Sequence, residues 1–121
     1  MNMRRVSLAV LAVLAVQATA LAADRMQFWN LTSTTITGLT LAPAGTTAFG
    51  PNQCVNDRDG AVDHDERLRL TGIQPGRYDV QVTDKRGRVC MARDVAVKGE
   101  GRYAFSLSDE DLKECHPAGA R

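Results

Sequence analysis

The chain has 121 residues, 15 bases, 14 acids and three cysteines, and only 5% of it is aromatic. So even a charge balance excludes the basic footprint of a nucleic-acid or anionic-membrane binder. The length allows one domain with a modest core.

Arg4 and Arg5 precede an apolar run, Val6 to Val16, that only Ser7 interrupts, and Ala20-Leu21-Ala22 places small residues at a signal-peptidase site. Eleven residues fall short of the roughly 20 a helix needs to cross a bilayer. A cleavable signal peptide over 1–22 is expected, with Ala23 as the alternative cut, and hence a periplasmic or secreted protein. Arg4-Arg5 is followed by Val6-Ser7-Leu8, short of the wider twin-arginine pattern. No cysteine lies near the cut, which excludes a lipoprotein anchor. Cleavage leaves 13 bases against 14 acids, and export permits disulfides.

From Met26 the period is two, the period of strands. Met26 and Phe28 share one face of the first strand, with Trp29 and Leu31 on the other. Ile36–Leu41 makes a second strand, and Ala42-Pro43-Ala44-Gly45 ends it. Arg67-Leu68-Arg69-Leu70 alternates as a third. Pro75-Gly76 then supplies a tight turn, proline presetting φ and glycine accepting positive φ. Tyr78, Val80 and Val82 share a face of the fourth strand, and Asp84-Lys85-Arg86-Gly87 is a hairpin turn. Val89, Met91, Val95 and Val97 mark the fifth, where Arg93 signals a bulge or irregularity. Tyr103, Phe105 and Leu107 form the sixth. Ser108-Asp109-Glu110-Asp111 carries the capping and charge pattern of a helix start, so a two-turn helix ending near Cys115 is expected. The predicted fold is an all-β antiparallel sandwich of about six strands over 23–116, with that short C-terminal helix and a flexible tail over 117–121.

Between Pro43 and Glu66 no periodic pattern holds, which is long for a compact domain. It is either a functional loop or hides a strand within Thr46–Phe49. Residues 56–66 hold five acids. With Gly60 at the sixth place of a twelve-residue calcium loop, Asp57, Asp59, Asp63 and Glu66 take places three, five, nine and twelve, and Val62 the apolar eighth. Val55 at the first place and a strand instead of a following helix depart from that pattern. The competing reading is a solvated acidic turn paired with Arg58, Arg67 or Arg69.

Cys54, Cys90, Cys115, His64 and His116 show no short metal-ligand spacing. Ser33, Ser106 and Ser108 lie outside any Gly-x-Ser-x-Gly elbow, and no Cys–His pair has an orienting third group. No enzyme is expected. In a hairpin order the three cysteines gather at one end of the sheet. Cys90–Cys115 is favoured because the fifth and sixth strands would be neighbours, with Cys54–Cys115 close behind. Asn30-Leu31-Thr32 matches a glycosylation sequon by chance. Nine bases stand against four acids between Arg67 and Arg102. This reads as a solvated, ion-paired surface or, alternatively, a partner-binding face.

Leu70-Thr71-Gly72-Ile73-Gln74-Pro75-Gly76-Arg77-Tyr78-Asp79-Val80-Gln81-Val82 resembles the hairpin of prealbumin-like, carboxypeptidase regulatory-like β-sandwich modules. The succession of signal peptide, Asn30-Leu31-Thr32, Leu41-Ala42-Pro43-Ala44-Gly45, Phe49-Gly50-Pro51-Asn52, Tyr78-Asp79 and Cys115 is similar to small uncharacterised exported proteobacterial proteins. That likeness implies a periplasmic β-sandwich and brings no activity. The expectation is a non-enzymatic binding module for an envelope protein, making contact through Pro43–Glu66. The alternative is an exported domain that binds Ca2+ with residues 56–66.

Overall fold

Alternation of apolar and polar side chains builds seven strands in the computed structural model, which describes residues 26–119. The expected signal peptide lies outside those residues. The strands are β1 (Gln27–Leu31), β2 (Ile36–Pro43), β3 (Arg67–Arg69), β4 (Gly76–Asp84), β5 (Arg88–Val97), β6 (Phe105–Ser108) and β7 (Lys113–Pro117). They form two sheets, ordered β3-β1-β6 and β2-β4-β5-β7. Phe28, Leu68, Phe105 and Leu107 of the first sheet and Leu39, Leu41, Val80 and Val82 of the second make one core, so the sheets lie face to face. Phe28 and Phe105 meet across the β1–β6 pair with ring centroids 5.0 Å apart.

The all-β expectation holds, with three corrections. β1 and β6 pair in parallel, so the sandwich is not wholly antiparallel. β5 and β6 are not neighbours: they belong to different sheets, and the strand beside β5 is β7. The expected C-terminal helix is a single 3-10 turn, Asp109–Asp111, followed by β7. The local helix signal is present, since the Asp111 carboxylate accepts from the Ser108 amide and hydroxyl. Yet Leu112 is the only side chain of this stretch packed on the core, too little apolar surface to hold a helix. Pairing with β5 and the Cys90–Cys115 disulfide take the chain instead.

The β4–β5 hairpin follows its turn chemistry. Gly87 sits at φ 83°, and the Asp84 side chain accepts from the amides of Arg86 and Arg88, both at 2.9 Å. At the other end of β4 the Tyr78 hydroxyl donates to the Gln74 carbonyl at 2.7 Å, the tyrosine-corner arrangement of β-sandwiches. Gly99 passes so close that a Cβ there would lie 2.8 Å from the Pro75 ring.

The irregularity signalled by Arg93 is a bulge. Tyr78 faces Val95 and Val80 faces Ala92, so Arg93 and Asp94 together oppose Asp79, and Asp94 takes φ 55°. The bulge also corrects which side chains face inward. Cys90 and Ala92, opposite Val82 and Val80, hold the inner face of the first half of β5, where Val89 and Met91 were expected. Beyond the bulge Val95 and Val97 pack on the core as the pattern implied.

Every residue of β7 is exposed. Its ladder, the Arg93–Glu114 ion pair and the disulfide are what hold it. Cys115→Ser should therefore lower stability by about 3 kcal/mol, read as a lower urea midpoint, while far-UV circular dichroism keeps its β signature. Amide exchange should accelerate at Val89 and Met91 and stay slow at Val80 and Val82.

Candidate functional site

The acidic loop is used from within. Asp57 accepts from the amides of Asp59 and Ala61, closing its own turn around Gly60. Asp63 accepts from the Thr35 hydroxyl at 2.7 Å, and Glu66 from the Asp63 amide at 3.3 Å. Asp65 accepts from the Trp29 indole at 3.0 Å, and Asp59 makes no side-chain bond among the described residues. The four residues of the calcium pattern are thus not gathered around one point. Among the described residues no group of three or more His, Cys, Asp or Glu side chains is placed to hold a metal ion. Nδ1 of His64 lies 2.8 Å from the Thr32 carbonyl oxygen, and that of exposed His116 is 3.0 Å from the Pro117 carbonyl.

The rest of the long segment closes one side of the sandwich. Thr46–Phe49 forms no strand. Instead, the Asn52 side chain pairs with the free edge of β2 as a strand would, accepting from the Leu39 amide at 2.9 Å and donating to the Thr37 carbonyl at 3.1 Å. Gln53 exchanges bonds with the amide and carbonyl of Thr71, and Asn56 donates to the Arg69 carbonyl at 2.8 Å, covering the edge of β3. A 3-10 turn, Gln53–Asn56, joins the two edges and carries Cys54 into the core. Burial, and next the charge of Asp57, push the Cys54 thiol up to about 11, so it stays protonated and unreactive at neutral pH. Val55, 74% exposed, is the large apolar side chain this segment leaves in solvent.

Polar groups also organise the interior. Asn30, 0% exposed, donates to the carbonyls of Thr34 and Val62 and accepts from the amide and hydroxyl of Thr32. Every hydrogen-bonding group of its amide is used, so a glycan on the Asn30 sequon is incompatible with this fold. Asp79, 3% exposed, accepts from the amides of Asp94 at 2.9 Å and Gly45 at 3.0 Å, and from Arg93 at 3.4 Å. Arg93 makes a two-pronged contact with Glu114 on β7, at 2.6 and 3.1 Å. The two backbone amides, Asp94 first, hold the Asp79 carboxyl below its usual range; Arg93 does the same for Glu114, and the Ser33 amide for Asp109.

Between β5 and β6 the two sheets are not joined by a ladder. The Lys98 amide bonds the Ala104 carbonyl at 3.0 Å, but the two strands lie in different sheets. β7 covers β5 only from Arg88 to Met91, so the edge of Ala92–Val97 that faces away from β4 and the edge of β6 that faces away from β1 both lack a neighbouring strand. Between them lies a groove of about 850 Å³, lined among others by Val95, Ala96, Lys98, Arg102, Tyr103 and Phe105. The adjoining outer face of the three-stranded sheet presents Trp29 between Arg67 and Ser106, which are its register partners on β3 and β6. The Arg67 guanidinium lies 4.9 Å from the Trp29 ring centroid and 6.0 Å from that of Tyr103, and the two rings are 5.2 Å apart.

Three of the nine bases between Arg67 and Arg102 form ion pairs: Arg77 with Asp94, Arg88 with Asp84, and Arg93 with Asp79 and Glu114. Among the described residues Arg67, Arg69, Lys85, Arg86, Lys98 and Arg102 form none. The aromatic–arginine cluster escaped the sequence reading. Its signal was outward phase, since Trp29 and Arg67 both alternate with core residues, but only the strand register brings them together. Comparison with known protein families, with curated proteins and with solved structures finds no match for this chain.

Two outcomes are expected. Asn52→Ala, which strips three hydrogen bonds from β2 and from the Cys54 amide, should cost about 2 kcal/mol in urea unfolding. Asp79 has a folded pKa below its unfolded one, so its contribution is complete above the unfolded value of about 3.9 and disappears as pH falls through the folded value. Asp79→Asn should accordingly be less stable than wild type at pH 7, with the gap narrowing by pH 3. A gap independent of pH would show that the carboxylate charge contributes nothing.

Proposed function

We propose that this chain is an exported, non-enzymatic binding module of the periplasm, which contacts an envelope protein through the outer face of the three-stranded sheet and the groove beside it. The carrying observation is the Trp29–Arg67–Tyr103 cluster. Tryptophan, tyrosine and arginine concentrate where protein partners bind, because they offer large rigid area with a polar end. Arg67 has no carboxylate partner among the described residues, and its guanidinium donors remain available to a ligand.

Export is supported by the Cys90–Cys115 disulfide, a bond that persists in oxidising compartments. No helix of the described residues is long and apolar enough to cross a membrane. The non-enzymatic reading is supported by how the reactive side chains are used: Cys54 is a buried, protonated thiol, and a ring nitrogen of His64 is taken by a backbone carbonyl. The polar side chains of the Pro43–Glu66 segment bond to the fold itself, Asp65 to the Trp29 indole among them, which favours Arg67, Tyr103 and the groove as the contact surface.

The test is site-specific photocrosslinking in the periplasm. Probes at Gln27 and Ser106, on the outer face, should give an adduct with an envelope protein. Arg67→Glu should reduce that adduct by about tenfold or more, the scale of a hot-spot loss, with the melting temperature nearly unchanged. Adducts from a probe at Val55 and none from the outer face would overturn the assignment.

A further inference from the structure

The groove beside β6 has the form of an unfilled strand position. One end is closed by the Lys98–Ala104 hydrogen bond. At the other end the chain crosses from β6 through Asp109–Asp111 to β7, with Leu112 on the core. Between these ends β6 is bonded on one side only, to β1. In a strand with one neighbour, alternate amides and carbonyls point away from it and need a partner. Phe105 is buried, and Val95 and Tyr103, which flank the groove, are half-buried and pack or stack on their neighbours. An inserted segment would therefore find an apolar floor with a polar backbone edge above it.

Charge selects among possible occupants. Of the groove's charged lining, Lys98 and Arg102 are cationic and Glu100 is the single acid. None of the three forms an ion pair among the described residues. The carboxylates nearest in sequence on β5 and β7 are already engaged, Asp94 by Arg77 and Glu114 by Arg93. The outward residues of the adjoining sheet, Gln27, Trp29, Leu31, Arg67, Arg69, Ser106 and Ser108, include two arginines and no acid. Of the carboxylates bonded to them from outside the sheet, Asp65 accepts from the Trp29 indole and Asp111 from Ser108. At the far end Asp109, Glu110 and Asp111 reverse the sign. An extended guest is thus favoured when its carboxylates lie beside Lys98 and Arg102.

The geometry points to strand addition: the groove accepts an extended, acidic segment of the envelope partner as a new strand along the outer edge of β6. This rests on the binding-module reading above and specifies its ligand. Backbone bonds to β6 supply affinity, alternate apolar side chains fill the space beside Val95, Ala96 and Phe105, and Lys98 and Arg102 discriminate by charge. Of the four residues of β6, Ser108 already bonds the Asp111 carboxylate, so Phe105–Leu107 are open to a guest stretch about 10 Å long at 3.3 Å per residue.

The experiment is amide chemical-shift titration of the processed, oxidised protein with three acetylated, amidated hexapeptides. One alternates valine and glutamate, the second alternates valine and lysine, and the third is the valine–glutamate sequence with alternate amides N-methylated. The first should shift Val95–Lys98 and Tyr103–Leu107 and bind about tenfold tighter than the second, the scale of two or three exposed charge pairs. The third should lose binding. A Lys98→Glu/Arg102→Glu variant should invert the ranking of the first two. No binding of the valine–glutamate peptide, equal binding of all three, or shifts elsewhere would overturn strand addition. If Gln27 and Ser106 still crosslink the envelope partner in that case, strand addition alone fails; if those adducts are also absent, the binding-module reading fails with it.

Discussion

Two short sheets expose four strand edges, and the need to satisfy their backbone amides and carbonyls organises this protein. A sandwich this small has little core to offset unpaired polar groups, so each edge must be met by side chains, by another strand or by solvent. The β2 and β3 edges are met by Asn52, Gln53 and Asn56, whose amide groups imitate a neighbouring backbone. This gives the long Pro43–Glu66 segment a structural role without regular structure of its own. It spans from one sheet to the other and must reach both edges, which a tight hairpin would not do. The carboxylates within it serve the same end, because each that bonds closes a turn or fastens the segment to Thr35 or Trp29.

Two buried polar residues do for the interior what these amides do for the edge. Asn30 sits on the inward face of β1, where the alternation would place an apolar residue, and joins the β1–β2 turn to Val62. Asp79 gathers an amide from the segment after β2, an amide from the bulge of β5 and the guanidinium that reaches β7. Each is an expense in desolvation that only full bonding offsets, and no buried side-chain nitrogen or oxygen is left unpartnered among the described residues. Such networks specify one arrangement of strands, since a shifted register would leave the carboxylate or the amide without partners.

How much of this could be read from the sequence depends on the range of the interaction concerned. Period-two alternation located β1 to β4 to within a few residues, and Arg93 marked the bulge, because these are statements about neighbouring residues. Ser108–Asp111 misled for the same reason. Its capping chemistry is real, but a local preference worth about 1 kcal/mol yields to a covalent and ladder-bonded tie to β5. The Cys90–Cys115 pair was anticipated through the wrong neighbour, since a run of hairpins would set β6 beside β5 where the chain in fact changes sheet. The candidate site was least legible. Trp29 and Arg67 are 38 positions apart, and nothing short of the β1–β3 register shows that they stack. The bonds of Asn52, Gln53 and Asn56 to the strand edges are equally silent in one dimension.

The bulge connects the internal network with the uncovered edge of β5. In β5 an added residue at Arg93–Asp94 shifts the register with β4 and bends the strand just beyond Met91, the last position paired with β7. Arg93 then turns to Glu114, which itself takes φ 50° near the start of β7. β7 meets β5 from Met91 downward and goes no further, although β5 runs on for six residues to Val97. The uncovered edge of β5 therefore begins at Ala92, one residue before the bulge that Asp79 holds through the Asp94 amide. The carboxylate that joins β4 to the bulge thus stands at the boundary between the part of the β5 edge that β7 covers and the part left open toward the groove of Lys98, Arg102 and Tyr103.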